Sequence, residues 1–137
     1  MRTQLEAQAA CLTNRARVHF LGYRKDVPEF LAACDLLAFP STSEGLGSTL
    51  LQAGQAHIPV IASEVGGIPD IILPGKTGDL VPPQNPQALA AAIHALLQDP
   101  ARCATYAKAL SQHVARNFSA ENMIQCTRGV YRDLVSQ

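Results

Sequence analysis

The sequence predicts an α/β fold, a parallel sheet flanked by helices, formed by residues 1–137 as one domain. Three observations predict it. Short apolar runs alternate with helical segments through the first two thirds of the chain, as parallel crossovers require. The runs "DLLAFP" (35–40) and "PVIAS" (59–63) are almost wholly apolar, the mark of strands buried on both faces. The last third then reads as three helices, each with its own start signal.

Composition narrows the class. A chain of 137 residues with 47% hydrophobic and 5% aromatic content can bury an aliphatic core. Eleven basic residues balance eleven acidic ones, so no overall field draws the chain to nucleic acid or anionic lipid. Any anion must be held locally. Cys11, Cys34, Cys103 and Cys126 form no C-x-x-C pair and have no histidine at ligand spacing, so neither a metal site nor a disulfide is expected. No run approaches the ~20 apolar residues of a membrane span. The opening "MRTQLEAQAACLTNRAR" lacks the apolar centre of a signal peptide, and a cytoplasmic protein is expected.

In order, "RTQLEAQAACL" predicts a helix and "RVHFLG" (17–22) a short strand. "DVPEFLAAC" predicts a helix with Asp26 as N-cap and Pro28 in its first turn. A strand over 35–40, a helix over 48–56 and a strand over 59–63 follow. "GGIPDIILPGKTGDLVPP" is rich in turns, with a short helix at 69–72 and a strand at 79–81. Asn85-Pro86 starts a helix whose face is Leu89, Ile93, Leu96 and Leu97. Asp99-Pro100 starts the next, with Tyr106, Leu110 and Val114 inward. Ser119 caps a third, with Met123, Val130, Tyr131 and Leu134 on its apolar face, so Tyr106 and Tyr131 both read as core.

Ligands of such sheets sit beyond the carboxyl ends of the strands, where "PSTSEGLG" leaves "DLLAF". Gly45 and Gly47 permit positive φ and close approach to the backbone. The amides of Gly47, Ser48 and Thr49, at a helix amino terminus, suit a phosphate. Glu44 and Gln52 are placed to meet hydroxyl groups on either side of it, which is the chemistry of a nucleotide sugar. The same residues also allow a plainer account: Glu44 favouring the helix dipole, Gly47 a turn and Gln52 a solvated position.

The ordered set "FLGY", "DLLAFPS", "SEGLG", "PVIAS", "GGIPDII", "GKTGDLV" and "ALAAAI…LLQDP" resembles the C-terminal, donor-binding half of family 4 (group 1) retaining glycosyltransferases. The resemblance implies a Rossmann-like sheet, forming an incomplete C-terminal half of the two-domain GT-B fold. It implies that a nucleotide sugar is bound without a metal or other cofactor. It assigns Glu44 to the donor sugar as the candidate catalytic residue, and the amides of Gly45, Leu46, Gly47, Ser48 and Thr49 to the diphosphate. Ser43 lies on the approach, as does Ser41, and the backbone at Tyr23 and Arg24 borders the base. The family context also implies polysaccharide synthesis in bacteria, with the full-length protein peripheral to the inner membrane.

Two departures qualify that assignment. The family has a second glutamate at position 52, where this sequence has Gln52. The family's domain also begins with a strand, a helix and a second strand upstream of "RTQLEAQAACL", with an Arg and a Lys for the diphosphate. Without that segment and the N-terminal acceptor domain, the chain is expected to be inactive alone. In the doubly wound order those strands fall between "RVHFL" and "DLLAF". Either these two segments pair directly or another copy fills the gap, and a homo-oligomer is expected. Rival readings are a non-catalytic nucleotide-binding or assembly module, for which Gln52 argues, and an epimerase or phosphorylase. The last two lack the further histidine and carboxylate groups or the cofactor lysine they need. The loop Gly66 to Asp70 lines the donor cleft or merely turns, Lys76 and Asp79 read as turn residues, and His19 as structural. His57, where the family has a small residue, has no role in this reading.

Overall fold

The computed structural model describes residues 2–135. Its helices are α1 (Arg2–Ala10), α2 (Val27–Ala32), α3 (Ser48–Gln55), α4 (Ile68–Ile71), α5 (Pro86–Leu97), α6 (Pro100–Asn117) and α7 (Ala120–Val135). Strands β1 (Leu37–Phe39), β2 (Val60–Ser63) and β3 (Asp79–Val81) form one parallel sheet in the order β1-β2-β3. Register pairs Leu37 with Val60 and Ile61 with Asp79. The predicted class and the predicted strands in the middle of the chain are therefore present.

Strand alternation distributes the core. Val60 and Ala62 point into one cluster with Leu50, Ile68, Ile71, Leu110 and Val114, whereas Ile61 points into another with Val81, Leu96 and Tyr106. All four residues of β2 are buried, as its unbroken apolar run predicts. Helix α6 reaches both clusters and crosses α3 closely at Gly54. A Cβ there would lie 2.7 Å from Val114 Cγ2, so the crossing depends on the missing side chain.

Local start signals fix the C-terminal helices. Asn85 Oδ1 accepts from the Ala88 N–H at 2.9 Å, Asp99 Oδ1 from Arg102 at 2.9 Å, and Ser119 Oγ from Asn122 at 3.1 Å. Asp26 precedes α2 as predicted, but its side chain makes no capping bond and accepts from Arg24 instead. That guanidinium holds the Asp26 carboxyl below its ordinary pKa.

Several expectations are corrected. Residues 17–22 do not form a strand: a single 3-10 turn covers Arg15–Arg17, and the next helix begins at Val27. Val18 is extended, yet no strand among the described residues lies alongside it, and the Phe20 carbonyl accepts from Arg2 Nη2 at 3.2 Å. An extended segment without a ladder is not a strand. Direct pairing of this segment with β1 is therefore also overturned, and β1 is half-buried rather than covered on all sides.

The face Met123, Val130, Tyr131 and Leu134 of α7 is not core, for these residues are 61% to 66% exposed. Periodicity was correct, but no described element packs over that face. Leu97 is exposed likewise at the end of α5, while Tyr106, Leu110 and Val114 are buried.

Asp79 is not a turn residue. It opens β3 and accepts from Arg102 Nη2 through both oxygens, at 2.8 and 2.7 Å, and from the Tyr106 hydroxyl at 2.9 Å. Arg102 Nε reaches that hydroxyl at 2.9 Å, so one triad joins α6 to the sheet, and burial raises the Tyr106 phenol above its usual pKa. The turn itself is organised by Thr77, whose Oγ1 accepts from the Leu73 N–H at 2.7 Å and donates to the Ile71 carbonyl at 3.2 Å.

His57 gains an account. It holds φ of 57° just past α3, with its N–H on the Gly54 carbonyl at 3.3 Å and the Ile58 N–H on Ala53 at 2.9 Å. That is a left-handed helix cap, a position that favours glycine and that His57 occupies here.

Candidate functional site

Strand β1 delivers the chain into the 40–47 loop at the sheet's carboxyl end. The loop closes on Gly47, the N-cap of α3, which adopts the left-handed conformation at φ 76° and ψ 58°. A Cβ there would come within 3.0 Å of Leu50 Cδ1, so glycine is favoured by conformation and by space. No side chain caps α3. The first-turn amides of Ser48 and Thr49 have no carbonyl a turn earlier in the helix and are directed out of its amino end.

A second loop braces the first from below. The Gly67 N–H donates to the Gly45 carbonyl at 3.0 Å. A Cβ on Gly66, at φ +52°, would lie 1.8 Å from the Glu44 carbonyl oxygen, and one on Gly67 would lie 2.3 Å from that of Gly45. The two glycines of "GGIPD" thus let backbone touch backbone directly behind Glu44. Their contribution to the site is positional, and it was undecided in the sequence because the partner lies 22 residues away.

The site residues from 43 to 52 run from the loop after β1 into the first turns of α3. Ser43, Gly45, Leu46 and Ser48 are exposed, Glu44, Thr49 and Gln52 half-buried, and Gly47 buried. Tyr23 and Arg24 lie on a separate segment, joined to this one through α2, which packs on α3. Tyr23 is 88% exposed. The Arg24 guanidinium is engaged by Asp26 and by the Phe30 ring, 4.9 Å from its centroid. It is directed to its own segment.

Among the described residues no three His, Cys, Asp or Glu side chains converge on a point where a metal would be held. Beside the 43–52 surface, a cavity of about 290 Å³ opens at the ends of all three strands, lined by Pro40, Thr42, Ser63, Gln84 and their neighbours. Sequence reasoning missed it. Its one legible clue was the turn-rich "PPQNP" after β3, where Gln84 holds φ of 56°. No helix among the described residues is long and apolar enough to cross a membrane.

Comparison with known proteins bears on the family and the fold. The model of the family described as glycosyl transferases group 1 matches residues 1–113. A lipopolysaccharide core biosynthesis mannosyltransferase, LpcC of Rhizobium leguminosarum, is 30% identical over 132 residues, 96% of this chain and 38% of its own length. The HepE protein of Anabaena, solved in complex with UDP, superposes with a TM-score of 0.86 at 31% identity, covering 99% of this chain and 37% of that one. The C-terminal domain of a group 1 glycosyl transferase from Francisella tularensis shares the fold, with a TM-score of 0.73 at 23% identity over 87% of this chain and 63% of that one. This chain spans well under half the length of the first two. The match of the family model over residues 1–113 shows that the chain belongs to the glycosyl transferases group 1 family.

Proposed function

We propose that this chain is the donor-binding part of a retaining glycosyltransferase of GT-B arrangement, which moves a sugar from a nucleotide diphosphate to an acceptor. The observation that carries the reading is the uncapped amino end of α3, held open by Gly47 beyond β1 with Glu44 beside it. In this reading the amides from Gly45 to Thr49 and the helix dipole hold the diphosphate and stabilise it as it departs. Glu44 accepts from hydroxyls of the donor sugar, Gln52 contacts the ribose, and the backbone at Tyr23 and Arg24 borders the base. No metal or other cofactor takes part. The complexes of the Anabaena relative with UDP and UDP-glucose favour a uridine nucleotide. Acceptor binding and a basic loop for the diphosphate come from outside this chain, so the chain alone does not turn over. The setting is polysaccharide or lipopolysaccharide synthesis on the cytoplasmic side of the membrane.

Gln52 tests the assignment quantitatively. A carboxylate accepting from a ribose hydroxyl contributes about 1.5–3 kcal/mol, against about 1 kcal/mol for a neutral acceptor. Gln52→Glu is therefore expected to tighten UDP-glucose binding roughly fivefold by calorimetry, which is about 1 kcal/mol. Unchanged affinity in Gln52→Glu, together with unchanged affinity in Glu44→Ala, would contradict the reading. A second reading, a nucleotide-binding module without catalysis, is favoured by the amide at position 52 alone.

The unpaired edge of β1 gives a further expectation. Leu37 uses its N–H on the Pro59 carbonyl at 3.0 Å, so the N–H and C=O of Ala38 face away from the sheet. An apolar strand with a free edge is a template for pairing with another copy. Sedimentation of the purified chain should show species larger than 14.6 kDa at micromolar concentration, and a lone 14.6 kDa species would refute self-association.

A further inference from the structure

We propose that the cavity at the carboxyl ends of the three strands is a second ligand site, for a small uncharged heterocyclic amide of the nucleobase type. It is lined by none of residues 43–52, and its existence does not depend on the donor reading.

Ser63 supplies the decisive observation. It ends the buried central strand, is 2% exposed and lines this cavity, and its hydroxyl, bonded to no described residue, keeps contact with solvent through the cavity. A hydroxyl that is open only toward a cavity is a position where an entering ligand takes over the bond otherwise made to water. The rest of the lining indicates which partner. Pro40, Val81, Pro82 and Leu89 give apolar walls, Thr42 and Gln84 add neutral polar groups, and no charged side chain takes part.

An anion or cation would be desolvated here without compensation. A saccharide carries hydroxyls on every side, more than these few polar groups satisfy. A flat heterocyclic amide has two apolar faces and one edge of donors and acceptors, which matches apolar walls with a hydroxyl and an amide. At about 290 Å³ the cavity lies at the small end of ligand pockets, suited to one ring or a fused pair. Gln84 is held at its rim in the left-handed conformation, with φ of 56°.

The test is titration of the ¹⁵N-labelled full chain with uracil and with adenine, using methyl α-glucoside and inorganic phosphate as comparison probes. The expected result is a saturable shift with at least one base, centred on the amides of Ser63, Val81 and Gln84, and none with phosphate. Ser63→Ala should weaken that binding at least fivefold. Gln84→Ala, on an exposed loop, should weaken it too and serves if the first variant fails to fold. No saturable shift at residues 63 and 84 with millimolar base would overturn the proposal, as would unchanged affinity in the variants. Saturation by the glucoside alone would overturn the ligand class. Shifts confined to Tyr23 and Arg24 would assign the base to the donor surface and also refute this site.

Discussion

Gly66→Ala is expected to destabilise the fold by about 2 kcal/mol and to abolish donor binding, although residue 66 is itself exposed. Two effects add. An alanine at φ +52° bears a conformational cost of about 1 kcal/mol. Its Cβ would also stand 1.8 Å from the Glu44 carbonyl oxygen, and no rotamer change relieves a clash with backbone. The loops must part, which breaks the bond from the Gly67 N–H to Gly45, worth about 1 kcal/mol, and displaces Glu44. Gly75→Ala is the control. Gly75 has φ of +71° but nothing within 4 Å, so its substitution should cost only the conformational part. Urea midpoints of the two variants, compared at constant slope, isolate the contribution of loop contact. Equal losses would mean that the contact does not matter.

Leu50→Ala should cost a similar amount by another route. Leu50 is fully buried in the larger cluster, and its Cδ1 lies against Gly47. Truncating such a leucine costs 2–5 kcal/mol, roughly 3 kcal/mol here, because the cavity relaxes only partly. The side chain anchors the first turn of α3, and its loss loosens the amides that the donor would need. A urea midpoint shifted by less than the equivalent of about 1 kcal/mol would show that the turn is held by its loops instead.

The contrast between these residues shows what is legible in a sequence. Asn85, Asp99 and Ser119 act on amides three positions away, so their caps could be read directly. Strand β2 carries its burial in its own composition. The segment 17–22 has strand composition, but a strand exists only with a neighbour, and none among the described residues is paired with it. Tyr131 follows the helical period faithfully, yet period cannot say whether anything covers the face. Gly66, Asp79 and Ser63 derive their meaning from contacts distant in sequence: a carbonyl at Glu44, a guanidinium at Arg102, a cavity shared with Thr42 and Gln84. Of the candidate site, the 43–52 segment was legible because it is contiguous in sequence. Its brace and the neighbouring cavity were not.

The central claim is that the amino end of α3 binds a nucleotide diphosphate with Glu44 and Gln52 on either side. Titration of the purified chain with UDP, GDP, ADP and their sugar conjugates, followed by amide shifts, tests it most directly. The account predicts saturable shifts from Gly45 to Gln52, strongest for one base. No shift in that segment at millimolar ligand, with the fold intact, would contradict it.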